Sequence, residues 1–390
     1  LAWGLAPILS VQGRLAIRDI AAGISRTGVA VAALSVAMAT VLGVSIMISS
    51  FRYSVEQWLE QSLRGDLYIS VQDTRENGRD RIPGSLITQL GKLEGIDQVA
   101  ELSSFRSETD FGRLRTTSLS AGAAALATLI DPLPDSQARY TQGEGVFISE
   151  PLAYNQQLSL GDQITLYAEN GSVPFAILGI FRDYSSSRGV ISIPPAILKN
   201  HWPNIKPKAL IAYLKPEADQ QRVIQKLRTL LKTYSGHHQL VSNTEIRNTS
   251  LAIFDQTFAI THVLRFLVLI VAFIGLISAL LALQLEKARQ HAVLRATGMS
   301  LGQLSRSIIF QSSLLGLFAA LISMPLGWLL SDRLIQVINR RAFGWSMEQQ
   351  IPVEVIPQTL FLALLAALLA CIYPIIKLRQ QTIATSLREE

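Results

Sequence analysis

Residues able to do covalent or acid–base chemistry are few in this sequence, and none is spaced for it. His237-His238 is an adjacent pair, but a metal needs ligands converging from several positions, and the single cysteine, Cys371, lies inside a distant apolar run. His201 and His262 are isolated. Asp131, Asp135, Glu144 and Glu150 fall in turn-rich sequence, without the pairing that would make one carboxyl an acid and another a base. Ser103, Ser149 and the run Ser185-Ser186-Ser187 lack the G-x-S-x-G frame of an exposed nucleophile. The run, beside Arg188-Gly189, is expected to form a flexible turn or a contact point for a cargo or partner. No G-x-x-x-x-G-K-[ST] occurs, so the chain has no P-loop of its own for ATP phosphates. No catalytic, cofactor-binding or metal residue is assigned, and the chain is not expected to be an enzyme.

One stretch suits mechanical work instead. Glu286–Met299 is a short cationic segment between the apolar runs Ile260–Leu285 and Ile308–Leu330. It reads as a helix ended by Gly298, where glycine takes a left-handed C-cap conformation without a Cβ penalty. Ser300 then starts the next helix, with Gln303 three residues on as capping-box partner. A capped helix in the turn between two membrane spans is a rigid handle for a soluble partner.

Four runs are long enough for the roughly 30 Å hydrocarbon layer, which takes about 20 residues. They are Gly28–Ser50, Leu264–Leu285, Ile308–Leu330 and Pro357–Ile376. The expected fold class is a membrane protein: an α-helical bundle of four spans, with a large α+β extracytoplasmic domain inserted between spans one and two. The expected divisions are an amphipathic cytoplasmic helix at 1–27 and a first span plus stalk at 28–63. The outer domain follows at 64–242, then a stalk and second span at 243–285. A cytoplasmic connector at 286–304 leads to a third span at 305–331 and a short outer loop at 332–356. The fourth span is 357–376 and a cytoplasmic tail 377–390. A helix over 28–63 would be about 54 Å long at 1.5 Å per residue, longer than the bilayer requires.

Arg14, Arg18 and Arg26, then Lys287, Arg289 and Arg295, then Lys377, Arg379 and Arg388 flank the runs and favour both termini inside. The net charge of +6 is scattered, with no aromatic-interleaved patch, which argues against nucleic acid. No Asp, Glu, Lys or Arg lies mid-span, which argues against a proton- or ion-driven carrier and a lined pore. Ala33/Ala37, Gly275/Ala279, Gly316/Ala320 and Ala363/Ala367 carry the small-residue spacing that lets helices approach closely. Pro325 and Pro374 are expected to kink their spans.

Within the outer interval, strand Asp66–Val71, helix Ser85–Leu93 and strand Val99–Phe105 precede strand Ala209–Leu214, helix Glu217–Tyr234 and strand Gln239–Ser242. That order is a split ferredoxin-like unit, with a β-rich insert at about 112–205 forming a second subdomain. Ile164–Ala168 and Phe175–Phe181 flank Asn170-Gly171 and read as a hairpin with a loop longer than two residues.

Three stretches resemble the FtsX/MacB/Lol-type permease family of ABC transporters over nearly the whole chain. Arg289-Gln290-His291-Ala292-Val293-Leu294-Arg295-Ala296-Thr297-Gly298-Met299 is similar to the family's R-x-x-E-I-x-x-L-R-A-x-G-A signature, departing at His291 and Met299. Leu15–Ile20 with Ser25-Arg26-Thr27 resembles the segment before its first span. Val146–Ala153 with Leu160-Gly161-Asp162 resembles a stretch of its outer domain. The resemblance implies a permease subunit in a bacterial cytoplasmic (inner) membrane, multi-pass, with its large domain in the periplasm. It implies a separate P-loop ABC ATPase holding ATP and Mg, and a second permease module. The start without Met suggests the second half of a longer two-module permease. Arg289, His291, Leu294, Arg295, Gly298 and Met299 would form the ATPase-coupling helix. ATP hydrolysis would move the outer domain mechanically, exporting or extracting a hydrophobic, lipid-linked or peptide-like cargo, with a periplasmic adaptor or cargo protein as a further partner. The alternative is a mechanotransmitter that regulates an envelope enzyme or signalling partner without transport.

Overall fold

The computed structural model describes residues 24–71, 82–120, 128–169, 171–234, 238–286, 293–295, 297–373 and 375–376. Helix α1 (Ile24–Ser62) leads into β1 (Leu67–Val71), α2 (Gly84–Gly91), the long β2 (Ile96–Thr109), β3 (Gly112–Leu119) and β4 (Leu129–Pro132). Then come α3 (Ser136–Gln142), β5 (Gly145–Ser149), α4 (Glu150–Gln156), β6 (Gln163–Ala168), β7 (Gly171–Phe181), β8 (Val190–Ser192) and α5 (Pro195–His201). The outer region closes with β9 (Ala209–Leu214), α6 (Gln220–Leu231) and β10 (His238–Ser242). Helices α7 (Asn243–Glu286) and α8 (Leu301–Arg333), a π-helical turn Leu334–Asn339, α9 (Arg340–Phe343) and α10 (Val355–Ala370) complete the chain.

Two compact units result. One holds Leu1–Ser50, Gln256–Ile335 and Gln349–Glu390; the other holds Phe51–Asp255 and Gln336–Glu348. The second unit thus recruits most of what the sequence presents as a short connecting loop.

In this second unit the strands order β10-β1-β9-β2, every neighbour antiparallel, which is the ferredoxin-like order expected from the two separated halves. Helices α2 and α6 cover the sheet because their apolar residues recur on one face: Leu86 and Leu90 on one, Val223, Leu227 and Leu231 on the other, all buried against Leu67, Ile69 and Leu210. Asp219 caps α6, its carboxylate accepting the Gln221 and Arg222 backbone N–H groups.

The insert does not stand apart as a separate sheet. Strand β2 is long enough to serve two halves: Ile96–Leu102 pairs with β9 and Leu102–Thr109 with β3. Pairing then runs on through β8, β5, β7 and β4. Among the described residues three apolar clusters line this one sheet; the larger one of the insert is built on Val146, Ile148, Ile164, Ile177 and Ile191, and a smaller one on Tyr140, Phe147 and Leu178. The β6–β7 hairpin is tighter than expected. Pairing reaches Ala168 and Gly171, because Gly171 at φ 112° lets the strand begin four residues before Phe175.

Among the described residues, Val31–Ser62 and Leu301–Phe343, which begin in the first unit and end in the second, are long and apolar enough to cross a membrane, while Val355–Ala370 is apolar but shorter. Close packing depends on small residues. A Cβ on Gly316 would lie 2.7 Å from the Ala367 Cβ and 3.0 Å from the Ala363 carbonyl, so two of the expected small-residue pairs meet each other within the chain. Gly43 and Gly327 make a second close approach that the spacing did not single out: a Cβ on Gly43 would stand 3.0 Å from the Gly327 carbonyl. Pro325 lies inside α8, and Pro374 is outside the described residues.

Gly145 offers a direct test of the insert's packing. A Cβ there would fall 2.4 Å from the Ala176 carbonyl on the parallel partner strand. Gly145→Ala is expected to destabilise the outer unit by about 1–3 kcal/mol through overpacking. Denaturant titration of the full-length protein followed by limited proteolysis measures it.

Candidate functional site

Two constellations stand out, one in each unit. The first is the turn before α8. Val293–Arg295 is helical, and Gly298 takes φ 105°. Its N–H donates to the Arg295 carbonyl at 3.1 Å, and the Met299 N–H donates to the Leu294 carbonyl at 2.9 Å. Those two bonds make a Schellman motif, which satisfies carbonyls that a helix end leaves open. The next helix starts at once. Ser300 Oγ accepts the Gln303 N–H at 3.2 Å, and Gln303 Oε1 accepts the Ser300 N–H at 3.0 Å, a complete capping box. One helix is closed and the next opened within about six residues, so the turn has little freedom left.

Of the residues expected to form the coupling surface, Arg289 and His291 lie outside the described residues. Leu294 and Arg295 are half-buried and Gly298 is exposed. Met299 packs against Leu304, Ile308 and Cys371, so it anchors the turn to its own bundle as well as bordering the surface. Val293, not singled out from the sequence, is the exposed apolar residue of the turn at 49% accessibility.

The second constellation is an aromatic clasp in the outer unit. Phe51, on α1, contacts Phe254 of α7 at 5.1 Å between ring centroids, Trp345 at 5.6 Å and Tyr184 at 6.2 Å. Trp345 also meets Tyr184 edge-on at 5.6 Å and stacks on Phe343 at 4.8 Å. Three other chain segments therefore meet on the Phe51 ring. Each such pair adds roughly 0.5–1.5 kcal/mol beyond the area it buries.

Hydrogen bonds fix the clasp's register. Glu150 Oε2, in the first turn of α4, accepts from the Ser346 N–H at 3.1 Å and the Ser346 hydroxyl at 2.9 Å. The Tyr184 hydroxyl donates to the Ser346 carbonyl at 2.7 Å, and Trp58 Nε1–H donates to the Arg182 carbonyl at 3.1 Å. Arg340 lies over the Tyr154 ring at 5.2 Å. Gly344, at φ 74°, comes so close to Pro151 that a Cβ would stand 2.7 Å from its Cα. Burial pushes the Tyr184 phenol up to about 12. Its contribution is therefore complete below the ordinary phenol range near 10 and is lost only as pH rises towards 12. Near the clasp, Arg52 Nε and Nη2 reach Asp255 at 2.9 and 3.4 Å, and Arg247 approaches Glu56 at 3.6 Å. Asn243 Nδ2 bonds the Leu63 and Gly65 carbonyls, joining the end of α1 to the start of α7.

The residues weighed for chemistry have other uses. Glu150 holds the 344–346 turn, and Ser149 Oγ accepts the Val190 N–H at 2.8 Å. His201 packs between Phe175 and Trp202, and His238 lies edge-on to Tyr234. Among the described residues no three His, Cys, Asp or Glu side chains gather as a metal site. The serine run lies in an irregular bend between β7 and β8 that is tied to its neighbours. Asp183 accepts the Ser185 N–H, Arg115 reaches both Ser185 and Asp183, and Asn155 donates to the Ser187 carbonyl.

Two substitutions probe these sites. At Gly298 a Cβ would meet nothing within 4 Å, so only backbone strain opposes it. Gly298→Ala is expected to cost about 1–2 kcal/mol and Gly298→Asn clearly less, since Asn tolerates the left-handed region. Thermal unfolding in detergent ranks the two. Trp345→Ala is expected to cost about 3 kcal/mol, from the lower end of aromatic truncations because Trp345 is half-buried, and to expose the neighbouring backbone. Hydrogen exchange over 336–348 would register the opening.

Comparison with known proteins agrees with this division. Residues 27–230 match the MacB-like periplasmic core domain, and residues 263–383 match the FtsX-like permease C-terminal region. An uncharacterized ABC transporter permease protein of Mycobacterium tuberculosis is 34% identical over 401 residues, covering 100% of this chain and 46% of its own length. The chain thus spans about half the length of the curated relative it matches. Among solved structures, the periplasmic region of MacB from Actinobacillus actinomycetemcomitans aligns at TM-score 0.39 and 14% identity, covering 49% of this chain and 94% of that one. The extracellular domain of the noncanonic ABC-type transporter YknZ from Gram-positive bacteria aligns at 0.33 and 12%, covering 45% and 98%. The family matches, rather than these distant superpositions, carry the assignment: the chain belongs to the FtsX/MacB-like family of ABC transporter permeases.

Proposed function

We propose that this permease converts ATP hydrolysis by a separate P-loop ATPase into movement of its outer α+β domain. The ATPase would hold ATP and Mg, and this chain neither. The observation that carries the reading is the doubly closed turn at Leu294–Gln303. A Schellman motif abutting a capping box resists bending, so a push on the preceding cationic segment would pass to α8 instead of dissipating in a loop. Arg289, His291, Leu294, Arg295, Gly298 and Met299, with Val293 added, would form or support the surface that the ATPase grips.

The clasp supplies the receiving end. Phe51 and Phe254 lie on α1 and α7, whose apolar stretches are read as the first two spans, and Trp345 follows α8 and α9 in sequence. A small displacement of any of these helices would be felt at the rings shared with Tyr184 and at the Glu150–Ser346 bonds. On this reading the chain crosses a bacterial cytoplasmic membrane four times, pairs with a second permease module and acts on a hydrophobic, lipid-linked or peptide-like cargo outside the bilayer. The absence of any mid-span charge in the sequence supports transmission through the helices over passage of an ion between them.

Two variants separate the ends of this device. Arg295→Glu in the full-length native protein is expected to abolish co-purification of a stoichiometric P-loop ATPase. Glu150→Ala is expected to leave that ATPase bound while lowering transport-coupled hydrolysis by about tenfold or more, the scale of losing a charge-assisted pair of hydrogen bonds. If the ATPase stays bound to Arg295→Glu, the turn is not the docking point. If Glu150→Ala turns over normally, the clasp is only structural.

A further inference from the structure

A cavity of about 170 Å³ opens beside the clasp in the outer unit. Its walls combine Tyr53, Gln57 and Trp58 of α1 with Arg182, Tyr184 and Glu348. This mixture is not what a structural joint needs. Three aromatic rings border the space, and one cation and one anion face it together. The charges are poorly matched to each other: Arg182 Nη2 reaches Glu348 Oε1 at 3.4 Å, the outer limit of a hydrogen bond. The guanidinium fork offers Nε and Nη2 side by side, yet Nε is buried with no hydrogen-bond partner. The Arg182 side chain is nonetheless 34% accessible beside the cavity, so the guanidinium beyond Nε keeps capacity for an anion, while the exposed Glu348 can take a cation. Tyr53, 41% accessible, lines the space with Trp58 and Tyr184, and an aromatic lining favours an ammonium group.

We propose that this cavity binds a small zwitterionic group, its anion on Arg182 and its ammonium between Glu348 and the aromatic wall. A lone anion would meet the Glu348 carboxylate, and a lone cation the Arg182 guanidinium; only a ligand carrying both charges relieves both. The volume lies below the roughly 300 Å³ at which pockets for drug-sized molecules begin, which fits a head group or a dipeptide and excludes a larger cargo. A ligand held there would touch α1, the segment after β7 and the 336–348 segment at once. Occupancy would thus set how firmly the clasp is closed. This binding does not depend on the proposed coupling to an ATPase.

The test uses the purified full-length chain in detergent, without ATPase, and isothermal titration with three probes: glycerophosphoethanolamine, glycylglycine and glycerol phosphate. Saturable binding of either zwitterion is expected, and which one binds identifies a lipid-type or a peptide-type source. Glycerol phosphate is expected to bind at least about tenfold more weakly. Arg182→Gln and Glu348→Gln are each expected to weaken the zwitterion by a similar factor with unfolding temperature unchanged. Glu348→Gln should also narrow the gap between zwitterion and glycerol phosphate, a change that misfolding would not produce. No saturation by either zwitterion, equal binding of glycerol phosphate, or zwitterion binding untouched in both variants would overturn the assignment.

Discussion

A backbone that crosses lipid must satisfy its own hydrogen bonds, and everything distinctive in this chain follows from that constraint. In hydrocarbon no water replaces a broken N–H···O=C bond, so a spanning helix cannot hinge in its middle without a costly substitute. Flexibility and control must therefore be placed at helix ends. At Leu294–Gln303 the Leu294 and Arg295 carbonyls and the Ser300 and Gln303 amides each find a named partner, by backbone geometry at Gly298 and by the reciprocal Ser300–Gln303 pair. In the outer unit, Asn243 does comparable work by bonding the carbonyls where α1 has just ended.

Rigid helices still need something to act on, and magnitudes identify what holds the clasp. The pairs Arg52–Asp255 and Arg247–Glu56 are the most visible electrostatic features, but exposed ion pairs contribute at most about 1 kcal/mol and weaken in salt. The rings of Phe51, Tyr184, Phe254, Trp345 and Phe343 form five described contacts, so even the lower end of the aromatic-pair range exceeds both ion pairs together. The aromatic contacts supply the adhesion; Glu150 and Tyr184, each bonding the Ser346 backbone, supply the register. The charges at Arg52 and Arg247 add orientation between α1 and α7.

How much of this was legible in the sequence depended on how local the information was. The ferredoxin-like half was readable because α6 repeats its apolar residues at helical spacing and its flanking strands are short and apolar. The Gly298 stop and the Ser300–Gln303 start were readable for the same reason: a cap is encoded within a few residues. The continuity of the sheet was not, since nothing near Leu102 announces that β2 will pair with β9 on one side and β3 on the other. The clasp as a whole was not legible, although Phe51 and Phe254 fall on the apolar stripes of the two expected stalks. Its residues come from positions 51, 150, 184, 254 and 345, and no local pattern connects them. One signal was available: Phe343-Gly344-Trp345, two aromatics around a glycine in a segment otherwise passed over as a loop, is more apolar surface than a solvated connection needs.

Gly344 shows why that segment cannot be replaced by any short link of equal length. It needs a positive φ to end α9, and it needs no side chain because Pro151 occupies the space where one would go. Only glycine meets both demands. Two residues later Ser346 must present an N–H, a hydroxyl and a carbonyl to Glu150 and Tyr184 at once, which only the bend at Gly344 makes geometrically available. Trp345 lies between them, its ring committed to Phe51 and Tyr184 and its carbonyl to the Asn339 side chain. Three consecutive residues thus serve three different physical purposes: conformational freedom, aromatic contact and polar register. Under the proposed function, a segment so fully specified would transmit a displacement instead of absorbing it, which is the property that distinguishes a linkage from a loop.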